Sequence, residues 1–124
     1  ILLAEDNELN AEIAARLLND EGATVQVVRD GQQAIDAFAS RPQGTYDAIL
    51  MDIMMPKIDG YTATRVIRST NRQDAKAIPI IAMTAHVFDE DVKQCLEAGM
   101  NAHLPKPLQM EKVVSTIARL CKRK

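Results

Sequence analysis

The chain contains no tryptophan, two tyrosines, two phenylalanines and two cysteines, and it has no uninterrupted apolar run near the roughly 20 residues that cross a bilayer. So few rings leave little to stack on a flavin. Cys95 and Cys121 are too few for a disulfide scaffold. Both fall at apolar positions of expected helices without metal-ligand spacing, so they read as reduced core or near-core thiols of a reducing compartment. The glycines at 22, 31, 44, 60 and 99 never cluster, which excludes a dinucleotide or Walker fingerprint. There is no initiator Met, no charged-then-apolar leader, and the first residue already lies in an apolar run, so we expect a domain cut from a longer chain.

What is present is ordinary for a globular domain. The 124 residues are 47% apolar and 26% charged, which suits one hydrophobic core and argues against disorder. The net charge of −2 conceals an asymmetry: residues 1–62 hold 11 acids and 4 bases, residues 63–124 hold 6 acids and 11 bases. The bases are scattered over expected helices without interleaved aromatics, which speaks against direct nucleic-acid binding. The one dense cluster, Lys122, Arg123 and Lys124, reads as a solvated helix end favoured by the macrodipole.

Periodicity divides the chain into alternating strands and helices. Strands are expected at residues 1–4, 24–29, 46–51, 78–83 and 101–104. Between and after them come five helices. The first, about 8–21, follows an Asn7 cap, carries Leu9, Ile13, Leu17 and Leu18, and stops at Gly22. The second packs Ala34, Ile35 and Phe38; the third starts at Gly60 and carries Val66 and Ile67. The fourth, about 88–98, turns Val92, Cys95 and Leu96 inward, and the last carries Val113, Val114, Ile117, Leu120 and Cys121 in one stripe. Strict alternation with short connections predicts an α/β domain, a doubly wound parallel five-stranded sheet with both faces covered.

In such sheets the functional site lies beyond the carboxyl ends of the strands. The residues there are Glu5 and Asp6, Arg29 and Asp30, Asp52, Thr84, and Lys106 just past the fifth strand. Carboxylates brought to one edge repel by about 4 kcal/mol per pair at ~4 Å and an effective dielectric near 20, so a cation is required. Mg²⁺ prefers such hard oxygen ligands and is commonly shared with phosphate oxygens. Lys106 can reach Asp52 or a phosphoryl group placed on it, and the Thr84 hydroxyl can donate to the same oxygens. A carboxylate can itself be the nucleophile that accepts a phosphoryl group.

The motifs Glu5-Asp6-Asn7, the string from Met51-Asp52 through Met54-Met55-Pro56-Lys57-Ile58-Asp59 to Gly60, Met83-Thr84-Ala85 and Lys106-Pro107 resemble those of the receiver domains of two-component response regulators. Asn7 and Asn10 after the acids, with Tyr61-Thr62-Ala63-Thr64-Arg65 after Gly60, are most similar to receivers fused to hybrid sensor histidine kinases. The resemblance covers the whole chain, residues 1–124 as one receiver domain, and implies a single-domain (βα)5 flavodoxin-like fold with strand order 2-1-3-4-5. It implies that Asp52 takes a phosphoryl group from phosphohistidine, and that Mg²⁺ is bound directly by Asp6 and Asp52, through water by Glu5, and by the backbone carbonyl of Met54. It further implies that Thr84 and the Ala85 amide contact the phosphoryl group, that Lys106 pairs with it, and that the Lys106-Pro107 bond is cis. The domain would catalyse its own phosphorylation and dephosphorylation. Its partners would be a histidine kinase transmitter or a histidine phosphotransfer domain docking beside the first helix. It would be cytoplasmic, without membrane contact of its own, either as a stand-alone regulator or within a larger membrane-bound sensor kinase. The sequence departs from the family at His103, where an aromatic switch residue is usual, and at Glu5, where Asp is commoner.

Plainer readings stand beside these. Asp52 alone could start a turn before Pro56, Met54 and Met55 could be loop-edge packing, and His86 could be an exposed helix-start residue rather than a shield for the phosphoryl group. A haloacid dehalogenase-type phosphatase has a second acid two residues after its nucleophile, where this chain has Met54. A flavodoxin-like FMN carrier needs a hydroxyl- and glycine-rich loop where this chain has Glu5-Asp6-Asn7.

Overall fold

The computed structural model describes residues 1–42, 45–55, 57–70, 73–84, 89–105 and 109–121. In chain order the elements are β1 (Leu2–Ala4), α1 (Glu8–Asp20), β2 (Gln26–Val28), α2 (Gly31–Ser40), β3 (Ile49–Asp52), α3 (Gly60–Ser69), α4 (Gln73–Ala77), β4 (Ile80–Thr84), α5 (Asp89–Ala98), β5 (Ala102–Pro105) and α6 (Met110–Cys121). The five strands form one all-parallel sheet in the order β2-β1-β3-β4-β5. Order reverses at β1, which puts the crevice above β1 and β3.

Side-chain alternation splits the core into two layers. Leu2, Ala4, Ile49, Met51, Ile80 and Ala82 face one way, against Phe38 of α2, Ile67 of α3 and Cys95 of α5. Leu3, Leu50, Ile81 and Met83 face the other, against Leu18 of α1 and Val113 of α6. Both faces of the inner strands β1, β3 and β4 are covered, which explains their nearly uninterrupted apolar sequences. Cys95 is a free, buried thiol, while the Cys121 side chain and Lys122, Arg123 and Lys124 lie outside the described residues.

Three helices begin on the expected chemistry. Asn7, Asp30 and Asp59 each accept a hydrogen bond from the backbone N–H three residues on, at 2.9, 2.8 and 2.8 Å. Gly22 and Gly99 take positive φ just past α1 and α5, where a left-handed residue ends a helix most easily.

The structure corrects several sequence expectations. Two helices, not one, lie between β3 and β4, so the alternation is not strict. Residues 73–77 form one extra helical turn that buries Ala75, and a turn this short carries no readable period. Strands β3 and β4 run one residue further than expected and include Asp52 and Thr84. Helix α1 packs through Ala11, Ala14 and Leu18, leaving Leu9 64% and Ile13 50% exposed. Val66, Leu96 and Val114 are likewise exposed rather than inward. In each case a small residue or a single large one on the same helix already fills the space against the sheet.

Arg68, near the end of α3, ties together the edge opposite the crevice. Its Nε donates to the Gly99 carbonyl at 3.0 Å, one Nη to the Ala75 carbonyl at 3.1 Å and the other to Asn101 Oδ1 at 2.8 Å. Asn101 Oδ1 also accepts from the Ile80 amide at 2.8 Å, so one side chain joins α3, α4, the α5 end and the start of β4. Burial pushes the guanidinium below its usual pKa. A lysine has no planar fork to span three acceptors. Arg68→Lys is therefore expected to cost about 2 kcal/mol, read as a lower urea midpoint at unchanged slope.

Candidate functional site

Strands β1 and β3 are neighbours, with Ala4 beside Met51, so Glu5 and Asp52 emerge together at their carboxyl ends. Glu5 is 2% and Asp52 3% exposed, whereas Asp6, one residue past Glu5, opens to solvent. One carboxylate oxygen from each of Glu5, Asp6 and Asp52 lies within 4.8 Å of the other two. Backbone amides hold two of the three in place. Asn7 N–H donates to Glu5 Oε2 at 3.1 Å, and Met54 N–H donates to Asp52 Oδ1 at 3.2 Å.

At that separation each like-charged pair is unfavourable by about 3 kcal/mol at an effective dielectric near 20. Burial of Glu5 and Asp52 lessens the water available to offset it. The donors are all oxygens, negatively charged, partly buried and open on the Asp6 side, which suits a hard divalent ion that keeps some of its waters. The residues present therefore fit such an ion, and the cluster could bind a metal.

The remaining expected residues divide. Thr84 ends β4, buried, one residue beyond Met83, which lies beside Asp52 in the sheet. This brings the hydroxyl-bearing residue to the strand end adjoining Asp52. His103 is half-buried on β5 beside Ala82. Alternation puts His103 and Thr84 on the same sheet face. His103 also lines a cleft of about 300 Å³ with Val92, Leu96, Asn101, Thr116 and Arg119. Lys106, Ala85, His86, Pro107 and Pro56 lie outside the described residues. The Met54 side chain is 79% exposed, so its contribution near the acids is made by its backbone.

Asp30, one of the strand-end acids, is diverted from the cluster. It caps α2 and faces Lys57 Nζ at 3.7 Å. Two glycines also turn out to shape the site. A Cβ on Gly60 would collide with the Asp52 carbonyl and with Ile53 Cα, and a Cβ on Gly31 would collide with the Ile58 carbonyl. Their places in the sequence carry no sign of this, because the close approach is tertiary.

The response regulator receiver domain family matches residues 1–118. The chain is 39% identical to histidine kinase 1 of Arabidopsis thaliana, with 98% of this chain and 13% of that protein covered. It is also 39% identical to the osmosensing histidine protein kinase SLN1 of Saccharomyces cerevisiae, with 98% of this chain and 10% of that protein covered. The chain thus spans only a small part of the curated relatives it matches. Among solved structures, it is similar to the receiver domain of a sensor histidine kinase from Pseudomonas aeruginosa, crystallised with a magnesium ion coordinated in the active-site cleft. That likeness has a TM-score of 0.86 at 39% identity and covers 97% of this chain and 94% of the other. Among the described residues no helix is long and apolar enough to cross a membrane.

The carboxylate cluster makes its own prediction. Asp6→Asn should weaken divalent-ion binding at least tenfold, as expected when one of few charged ligands is lost, while calorimetry of the wild type detects a single site.

Proposed function

The chain belongs to the response regulator receiver domain family, and from that premise we propose that residues 1–124 act as one phosphoacceptor unit in which Asp52 is the acceptor and Glu5, Asp6 and Asp52 hold Mg²⁺. The observation that carries this reading is the convergence of three carboxylates around the end of β3, with Asp52 fixed by the Met54 amide. The Met54 carbonyl would add a neutral oxygen donor, and Glu5 would act through a bound water. When bound, the ion supplies positive charge to the oxygens of the transferring group.

A carboxylate oxygen of Asp52 attacks the phosphorus of a phosphohistidine. The new O–P bond forms as the P–N bond breaks, and the electron pair stays with the departing imidazole. Lys106 pairs with the phosphoryl oxygens, and the Thr84 hydroxyl and Ala85 amide donate to them. Thr84 moves toward the phosphoryl group. His103, on the same face, then shifts against the α5–α6 cleft, so two packings exchange population. Met54 occupies the position where a turnover phosphatase of the haloacid dehalogenase type places its proton donor, so the aspartyl phosphate persists long enough to signal.

The partner is a histidine kinase transmitter or a histidine phosphotransfer domain. Leu9 and Ile13 lie one helical turn apart on the exposed side of α1, which starts three residues after Glu5. With Met54 they supply apolar side chains near the acidic crevice, suited to a helical partner that presents its histidine to Asp52. Such a relay, fed by kinase phosphohistidine and Mg²⁺, places the domain in the cytoplasm, where Cys95 stays reduced.

Acetyl phosphate with Mg²⁺ should label the wild type and leave Asp52→Asn unlabelled, and equal labelling of both refutes the assignment of Asp52. In the double variant Leu9→Glu, Ile13→Glu, labelling by acetyl phosphate should persist while transfer to or from a histidine phosphotransfer domain falls roughly tenfold or more. Unchanged transfer places the docking surface elsewhere.

A further inference from the structure

We propose that Lys57, held against Asp30, is a positioning residue for the divalent-ion site, a role that rests on the Mg²⁺ reading above. Lys57 is the only non-glycine residue with positive φ among the described residues, at φ 67°. That region is disfavoured for a residue with a Cβ and is ordinarily filled by Gly or Asn. Lysine's backbone has no advantage there, so its side chain is the place to look. Its exposed ammonium lies 3.7 Å from Asp30 Oδ2, while Asp30 Oδ1 accepts from the Gln33 amide at 2.8 Å. The buried Asp30 carboxylate thus joins the first turn of α2 to the loop between β3 and α3.

The next residue tightens the same junction. The Ile58 carbonyl sits against Gly31 where no Cβ would fit, and the Ile58 side chain packs on the core layer of α2 and α3. At the loop's far end, Gly60 N–H donates to the Ile53 carbonyl at 2.9 Å, and Gly60 lies on the Asp52 carbonyl. The loop is therefore anchored to α2 through positions 57 and 58 and to β3 through position 60. Met54, whose amide holds Asp52 and whose carbonyl the reading above assigns to the ion, lies between Ile53, bonded to Gly60, and the anchor at Lys57. Mg²⁺ demands near-ideal octahedral geometry, so a small displacement of one oxygen donor appears as lost affinity.

The sign of the effect separates positioning from bulk electrostatics and from a merely structural role. Removing a cation near an acidic site should tighten Mg²⁺ binding if only long-range charge matters. Lys57→Gly also relieves the backbone penalty at positive φ, so it should leave thermal stability equal or raised. Positioning predicts the opposite combination of weaker ion binding without lost stability.

Mg²⁺ titration by calorimetry and thermal melts of the 124-residue chain provide the test. Lys57→Gly should bind Mg²⁺ roughly three- to tenfold more weakly than the wild type, with a melting temperature no lower. Lys57→Arg should restore affinity to within about twofold. Asp30→Asn keeps an N-cap acceptor and should weaken binding similarly, with no further loss when combined with Lys57→Gly. Mg²⁺ binding by Lys57→Gly as tight as or tighter than wild type overturns the proposal while leaving Asp52 phosphorylation standing. A wild type that binds no Mg²⁺ overturns the metal reading and this inference together.

Discussion

Three carboxylates meet at the ends of β1 and β3, two of them almost out of reach of water. Glu5 and Asp52 are almost completely buried, with Asp6 beside them. The arrangement is costly in isolation, and the surrounding structure exists largely to maintain it. Adjacent parallel strands deliver the two buried acids, the Asn7 amide holds Glu5, and the Met54 amide holds Asp52. A folded state that concentrates negative charge in this way is primed for a cation. Binding a cation relieves the repulsion that folding builds in.

The same economy runs through the loop between β3 and α3. From Asp52 to Gly60, nine residues hold a carboxylate of the cluster, the amide that bonds to it, a left-handed lysine and the first residue of α3. Local rules account for part of this, such as the Asp59 cap of α3. The rest is set by two close approaches, Gly31 to Ile58 and Gly60 to Asp52. At both points backbone meets backbone, and only a missing Cβ makes room.

Much of this was legible in the amino-acid order, for identifiable reasons. Runs such as Ile80 to Met83 announce strands buried on both faces, and acids at their ends announce the crevice, because parallel topology leaves few alternatives. Glu5, Asp6 and Asp52 were therefore recognisable from position alone, and Thr84 is found at the strand end next to Asp52. What escaped was whatever depends on three-dimensional competition. Ala11 and Ala14 displace Leu9 and Ile13 from the sheet, since small residues let a helix sit closer, and a pattern of large apolar residues cannot reveal that. Asp30 looked like a member of the acidic group until its cap and its lysine were seen. Arg68 joins groups seven to 33 residues away, a separation that no local period records.

The helix that follows β1 uses its alanines and Leu18 for folding and leaves its larger leucine and isoleucine outside. On the proposed docking surface, folding and partner binding draw on different positions of one short segment. Substitutions that change what the domain adheres to need not touch what keeps it folded. A gene duplicated many times over could then diverge in allegiance, each copy acquiring its own correspondent, while the scaffold beneath stays the same.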